Sequence, residues 1–279
     1  MMKKLKQMTC VSLMSVLLST SFSYANFDKN INMEKIQNVE ISSLKYKKMN
    51  VNDIFNVELK NINENTEFFK SDIRYPYLKI ENKYLGNEDF NVKGIENINK
   101  VIRNYSVNFK EKIKEESKDY KKQYEDIFSK SKEKYMKYQY EAYSYYKVTY
   151  NKNNLISIPI KLYEFTGGAH GMSYLKAFNY DLISGKEIKL KDMFKKDINY
   201  KTIIDKYIKQ QIQENKDIYF NEEQGFKGIS DNQSFYIEDD GIVVYFGLYE
   251  IAPYYVGIPK FKLTWDEFGK YLNYNKWEK

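Results

Sequence analysis

The chain has 279 residues, 45 lysines and arginines against 38 aspartates and glutamates, and a formal charge of +7. That length holds one large or two modest domains with real cores, and 42% hydrophobic with 17% aromatic residues excludes a wholly disordered chain. A mean hydropathy of -0.70 argues against a multispanning membrane protein, and a single Cys and a single His remove most thiolate and imidazole chemistry.

Residues 1–25 read as a secretory signal. Lys3, Lys4 and Lys6 form a positive start, a weakly apolar stretch runs from Met8 to Leu18, and Ser23 and Ala25 place small residues before a cleavage point at Asn26. Cys10 precedes most of the apolar stretch, so lipidation is not expected, and no membrane span is expected after cleavage. Removing the segment takes away three lysines, lowers the net charge from +7 to +4 and leaves no cysteine. The expected product is an exported protein held by its core rather than by disulfides. With arginine only at Arg74 and Arg103 and charges of both signs mixed, no nucleic-acid footprint is present.

From Gln37 to Phe69 short strand-like patterns recur; Tyr75-Pro76-Tyr77 is expected to break them before Leu78-Lys79-Ile80 resumes. The strongest helical signal follows, with Ile98, Val101, Ile102, Tyr105, Phe109, Ile113, Tyr120, Tyr124, Ile127 and Phe128 at three- and four-residue steps. Its opposite side, including Lys110, Glu111, Lys112, Lys114, Glu115 and Glu116, is expected to be a solvated face with weak pairing. Strands are expected at Tyr140–Tyr150 and Leu155–Phe165 around an Asn-rich turn. A hairpin should run 175–182 and 187–190 through Ser184-Gly185. A helix over 200–213, a hairpin turning at Asp239-Asp240-Gly241 and a strand at 257–263 complete the pattern. Thr264-Trp265-Asp266-Glu267 is a capping box that opens a short helix. The fold class expected is α+β, with antiparallel sheets, one long amphipathic helix and shorter helices packed on one side. The domains expected are a signal at 1–25, an N-terminal module at 26–165 and a C-terminal module at 166–279.

Gly167-Gly168-Ala169-His170-Gly171, directly after a strand, is the most distinctive string. Its glycines permit positive φ and close backbone approach. His170 there is a general base or recognition donor, or a polar plug bonded to neighbouring backbone. One histidine and no mature cysteine exclude a two-histidine zinc motif and leave only an all-carboxylate metal site conceivable; no metal ligand and no cofactor is assigned. Glu238-Asp239-Asp240 reads as a hairpin turn rather than a ligand cluster. Glu250, among the apolar and aromatic residues of Tyr249–Tyr255, is either paired in a core or lines a cleft. Pro253, Tyr254 and Tyr255 suggest a rigid loop that displays flat aromatic faces, suited to sugars and to interfaces.

The string 167–171, followed by Phe178-Asn179-Tyr180-Asp181, Gly185-Lys186, Asp192-Met193-Phe194, Tyr245-Phe246 and Tyr249–Tyr254 with Gly257, resembles a known C-terminal module. Tyr75-Pro76 and Ile98-Asn99-Lys100 resemble its partner module. Together they are similar to the paired domains of unknown function in the extracellular region of RsiV-type anti-sigma factors and in the N-terminal part of PdaC-type peptidoglycan deacetylases. The resemblance implies an extracytoplasmic α+β receptor-like domain and, for the RsiV type, lysozyme binding. Neither a sigma-binding region nor a deacetylase module accompanies it, so anti-sigma and deacetylase activities do not carry over.

The expected function is that of a secreted or cell-wall-associated, non-catalytic binding protein whose ligand is a lysozyme-like muramidase or a peptidoglycan glycan. Its site would be built from Gly168, His170, Glu250, Pro253, Tyr254 and Tyr255, with His170 ordering the first loop or donating a hydrogen bond. The alternative is a wall-polymer hydrolase with Glu250 and His170 as acid and base. The oligomeric state is left open.

Overall fold

The computed structural model describes residues 55–80, 91–131, 136–221 and 223–273. The expected signal at 1–25 and the strand pattern between 37 and 54 lie outside the described residues. All described residues fall within one unit, Asn50–Lys279.

The fold is α+β, with mostly antiparallel pairing. Strands β1 (Phe55–Asn65) and β2 (Phe69–Ile80) form a hairpin. Helix α1 (Val92–Ser131) then carries the chain back, and β3 (Tyr140–Tyr146) returns beside β2. Because α1 leads the chain back to the end from which β2 starts, β2 and β3 pair in parallel, the one departure from antiparallel order in the described sheets. β4 (Tyr150–Lys152) turns through Asn153 and Asn154, both at positive φ (53° and 61°), into β5 (Leu155–Phe165). Asn tolerates that region better than most residues, which is why this turn was legible. β6 (Met172–Asp181) and β7 (Lys186–Glu187) complete a seven-stranded sheet ordered β1-β2-β3-β5-β6-β7, with β4 attached to β5. The boundary expected at 165/166 coincides with the connection between β5 and β6, which pair along their length within this sheet.

Helix α2 (Tyr200–Glu214) precedes a three-stranded sheet of β8 (Phe235–Glu238), β9 (Gly241–Tyr245) and β10 (Lys260–Thr264). Thr264 caps the short helix α3 (Trp265–Phe268), its hydroxyl accepting from the Glu267 amide as the capping box requires. The acidic run at the β8–β9 turn is held by lysines: Lys152 on Asp239 at 2.7 Å, and Lys262 on Glu238 and Asp240 at 2.8 and 2.5 Å.

Alternation along β5 and β6 sets the layers. Ile156, Ile158, Ile160, Phe178 and Tyr180 point to α1 and join Ile95, Ile98, Ile102 and Ile113 in one core. Each isoleucine fully buried there contributes about 1.5–3 kcal/mol. Between those positions Ser157, Ala177 and Asn179 face the small sheet. Tyr236, Val243 and Tyr245 meet that side, while Phe235, Ile237, Ile242, Val244, Phe261 and Leu263 form a second core that includes Ile204 and Ile208 of α2. The order of layers is therefore α1, large sheet, small sheet, α2.

Two local expectations are corrected. Pro76 does not break the strand; it pairs with Leu59 inside β2. β3 runs alongside only Phe69–Ile73, so among the described residues no strand flanks the other side of β2 at Pro76, where the missing N–H costs no ladder bond. Asn99 of α1 reinforces this stretch, accepting from the Leu78 amide at 2.7 Å and donating to the Leu78 carbonyl at 2.9 Å. The face of α1 expected to be solvated is also partly buried: Lys110 is 5% exposed, inserted toward β1.

Candidate functional site

The loop 166–171 leaves β5 and enters β6. Gly167 and Gly168 have φ of 94° and 91°, a region costly for any residue with a Cβ. Gly171 is fixed by contact rather than by φ: a Cβ there would strike the Glu164 carbonyl and the Tyr163 hydroxyl. Gly168 has open space around it, and Ala169 and His170 are exposed.

The second loop, 246–259, leaves β9 and returns to β10. Its first turn is closed by Glu250, whose carboxylate accepts from the Gly247 amide at 2.6 Å. Glu250 is thus exposed and bonded to its own loop rather than buried in the aromatic core. Tyr249 is held at φ 63° and is 47% exposed, a backbone conformation that a bulky residue rarely adopts. Pro253 then starts a 3-10 turn over Tyr254–Val256, its carbonyl accepting from the Val256 amide at 3.0 Å.

The two loops meet. The Tyr254 hydroxyl donates to the Gly171 carbonyl at 2.8 Å, and the His170 ring stacks on the Tyr254 ring at 4.1 Å between centroids, 24° from parallel. His170 Nδ1 lies 3.1 Å from the same carbonyl, and the Tyr249 ring centre is 5.7 Å from that of Tyr254. Burial raises the Tyr254 hydroxyl above the ordinary tyrosine range, with neighbouring Tyr249 adding to it, so it stays a protonated donor at neutral pH.

Tyr254 also lines a cleft of about 320 Å³ where the small sheet ends on the β5–β6 hairpin. Lys161 of β5, Ser173 and Leu175 of β6, and Ile258 and Lys260 at the entry to β10 form its other walls. Of the residues expected from the sequence, Tyr254 lines this cleft and His170 braces it. Pro253 and Glu250 shape the loop behind it, Gly168 sits in the open first loop, and Tyr255 is 72% exposed beside it. Sequence reasoning missed Lys161, Ser173 and Lys260. Lys161 had a signal: it is the one charged residue in the string Leu155–Leu162. The strain at Tyr249 had none.

Comparison with known proteins places two adjacent modules on the chain. Residues 62–173 match the family described as deacetylase PdaC, and residues 191–266 match a family described as a protein of unknown function, DUF3298. The chain is 31% identical over 116 residues to the peptidoglycan-N-acetylmuramic acid deacetylase PdaC of Bacillus subtilis (strain 168), a match covering 40% of this chain and 25% of that protein. It therefore spans about a quarter of the length of this curated relative. A DUF3298 family structure from Bacteroides fragilis NCTC 9343 shares the fold, with TM-score 0.55, 24% identity, and coverage of 80% of this chain and 95% of that one. So does one from Pseudomonas aeruginosa PAO1, with TM-score 0.53, 17% identity, and coverage of 81% and 98%. The paired-module arrangement expected from the motifs is present, and it links the chain to peptidoglycan-related proteins.

Proposed function

We propose that this chain is an exported, non-catalytic binding protein of the cell envelope, and that the cleft beside Tyr254 holds a glycan of the wall. The observation that carries this reading is the immobilised aromatic: Tyr254 is fixed at its hydroxyl by Gly171 and on its ring by His170, yet still lines the cleft. A ring already ordered loses little freedom when a sugar stacks on it. The likeness to a peptidoglycan deacetylase over 62–173 supports a wall ligand. The polar atoms of the two residues that a hydrolase would use lie against loop backbone instead. Glu250 holds the Gly247 amide, and His170 Nδ1 sits against the Gly171 carbonyl. A lysozyme-like muramidase as ligand rests on the resemblance to RsiV-type proteins alone, and the cationic walls of the cleft oppose a basic partner.

The test is co-sedimentation of the full chain with purified peptidoglycan sacculi. Saturable binding that Tyr254→Ala weakens about tenfold or more, with no soluble fragments released, is the expected result. Failure to sediment, or steady release of fragments, overturns the reading. Saturable inhibition of a muramidase by a protein that ignores sacculi would select the muramidase ligand instead.

A further inference from the structure

Helix α1 covers one face of the large sheet, and on the other face the small sheet is packed on β5 and β6. The strand register carries two rows of side chains from the cleft wall along that second face toward β1. Lys161 of β5, itself opposite Leu175 of the cleft, stands opposite Tyr145 of β3. The Arg74 guanidinium of β2 lies 5.8 Å from the centre of the Tyr145 ring, and Arg74 stands opposite Asn61 of β1. In the neighbouring row Ser173 of the cleft is followed by Tyr163, Tyr143, Asp72 and Asn63. The residues between these rows, Leu162, Ala142 and Ile73 among them, belong to the core under α1, so by alternation both rows face away from it. Asn61, Asn63 and Lys161 are exposed, and Arg74, Asp72, Tyr145 and Tyr163 are half-buried.

Aromatic rings and planar polar groups therefore share one strip. Arg74 donates to Asp72 through Nε at 3.1 Å and Nη2 at 2.6 Å, which fixes the guanidinium over Tyr145 and leaves the pair without net charge. A polyanion would find that arginine already answered. An apolar partner would strip water from Asn61, Asn63 and Asp72 and return no hydrogen bond. A chain of sugars answers both demands, with ring faces for the tyrosines and hydroxyls for the amides, guanidinium and carboxylate. From β6 to β1 the strip crosses four strand spacings, about 19 Å, the length of roughly four pyranose units. We propose that the strip continues the cleft and that the ligand is an internal run of a polysaccharide, with one sugar at Tyr254 and the next ones on Lys161, Tyr145, Arg74 and Asn61. This rests on the glycan reading above and adds to it a second binding surface and a minimum ligand length: neither a chain end nor a small sugar fills the site.

Calorimetric titration of the full chain with peptide-free wall glycan strands, fractionated by length from the disaccharide to the octasaccharide, separates strip from cleft. Affinity should rise about tenfold or more from disaccharide to hexasaccharide and then level off. Tyr145→Ala and Asn61→Ala should each remove several-fold of that gain and leave disaccharide binding unchanged, which also shows that the variants are folded. Tyr254→Ala should weaken every length alike. If Tyr145→Ala loses the disaccharide as well, Asn61→Ala, at an exposed position of β1, decides alone. An affinity that does not depend on length, or a length gain that survives Asn61→Ala, overturns the strip while the glycan reading stands. If no strand of any length binds, the strip fails, and the sacculi experiment decides whether the glycan reading fails with it.

Discussion

Lys110 shows how far a single residue can depart from the pattern around it. It lies in a run of alternating charges that reads as solvent-facing, yet its ammonium sits between Glu64 of β1 at 2.8 Å and Glu111 at 2.9 Å, above the Phe69 ring. Burial alone would lower its pKa; the hydrogen bonds to Glu64 and Glu111 outweigh that and raise it. Glu64 is held below the usual carboxylate range, first by Lys110 and then by Lys114. Its contribution to stability is complete above the unfolded carboxylate pKa and is lost as pH falls through the lowered folded value. Glu64→Gln should therefore flatten the acid side of the stability curve as well as destabilise at neutral pH. The size is about 2 kcal/mol, since it strands a buried ammonium with Glu111 alone. Lys110→Met should cost less, about 1 kcal/mol, because Lys114 still holds the part-exposed Glu64 at 2.7 Å. Chemical denaturation across pH checks both, and the reverse ranking would contradict this view of the cluster. Glu250 departs in the opposite sense: its apolar neighbours in sequence suggested an acid paired in a core or lining a cleft, and it is exposed on the turn that Tyr249 makes at positive φ.

At the scale of elements, what periodicity encodes was legible. The three- and four-residue recurrence from Ile98 gave α1, alternation and turn residues gave the hairpins, and the capping box gave α3. What periodicity does not encode was missed: the parallel pairing of β3, and the polar seam between the sheets. There the Ser157 hydroxyl donates to Asn179 Oδ1 at 2.6 Å and accepts from the Ile237 amide at 2.9 Å, while Asn179 donates to the Phe235 carbonyl at 2.8 Å. In the sequence Ser157 is an unremarkable polar position in a strand; only the stacking of β8 on β5 and β6 makes it a fully buried joint. Ser157→Ala leaves the Ile237 amide without that acceptor and should destabilise by about 2 kcal/mol. The urea midpoint should fall with an unchanged slope, and a loss below about 0.5 kcal/mol would show that the seam is not held this way.

At the scale of the whole molecule, the site exists because the small sheet docks on the far side of the β5–β6 hairpin. The Tyr245 hydroxyl accepts from the Ala177 amide at 2.9 Å, and this contact brings the loop after β9 over the loop before β6. Each loop could be singled out from its glycines, prolines and aromatics. That they share one wall could not be read, because loops some 80 residues apart carry no local signal of their packing. The single histidine of the chain lies at this junction and reports on it without interference. Proton NMR of the His170 ring during titration with soluble peptidoglycan glycan strands is the most direct test that the two loops form one glycan site. Its resonance should shift saturably in the wild-type chain and stay fixed in Tyr254→Ala. A ring signal that does not move while the strands demonstrably bind would place the glycan elsewhere on the protein and contradict the site.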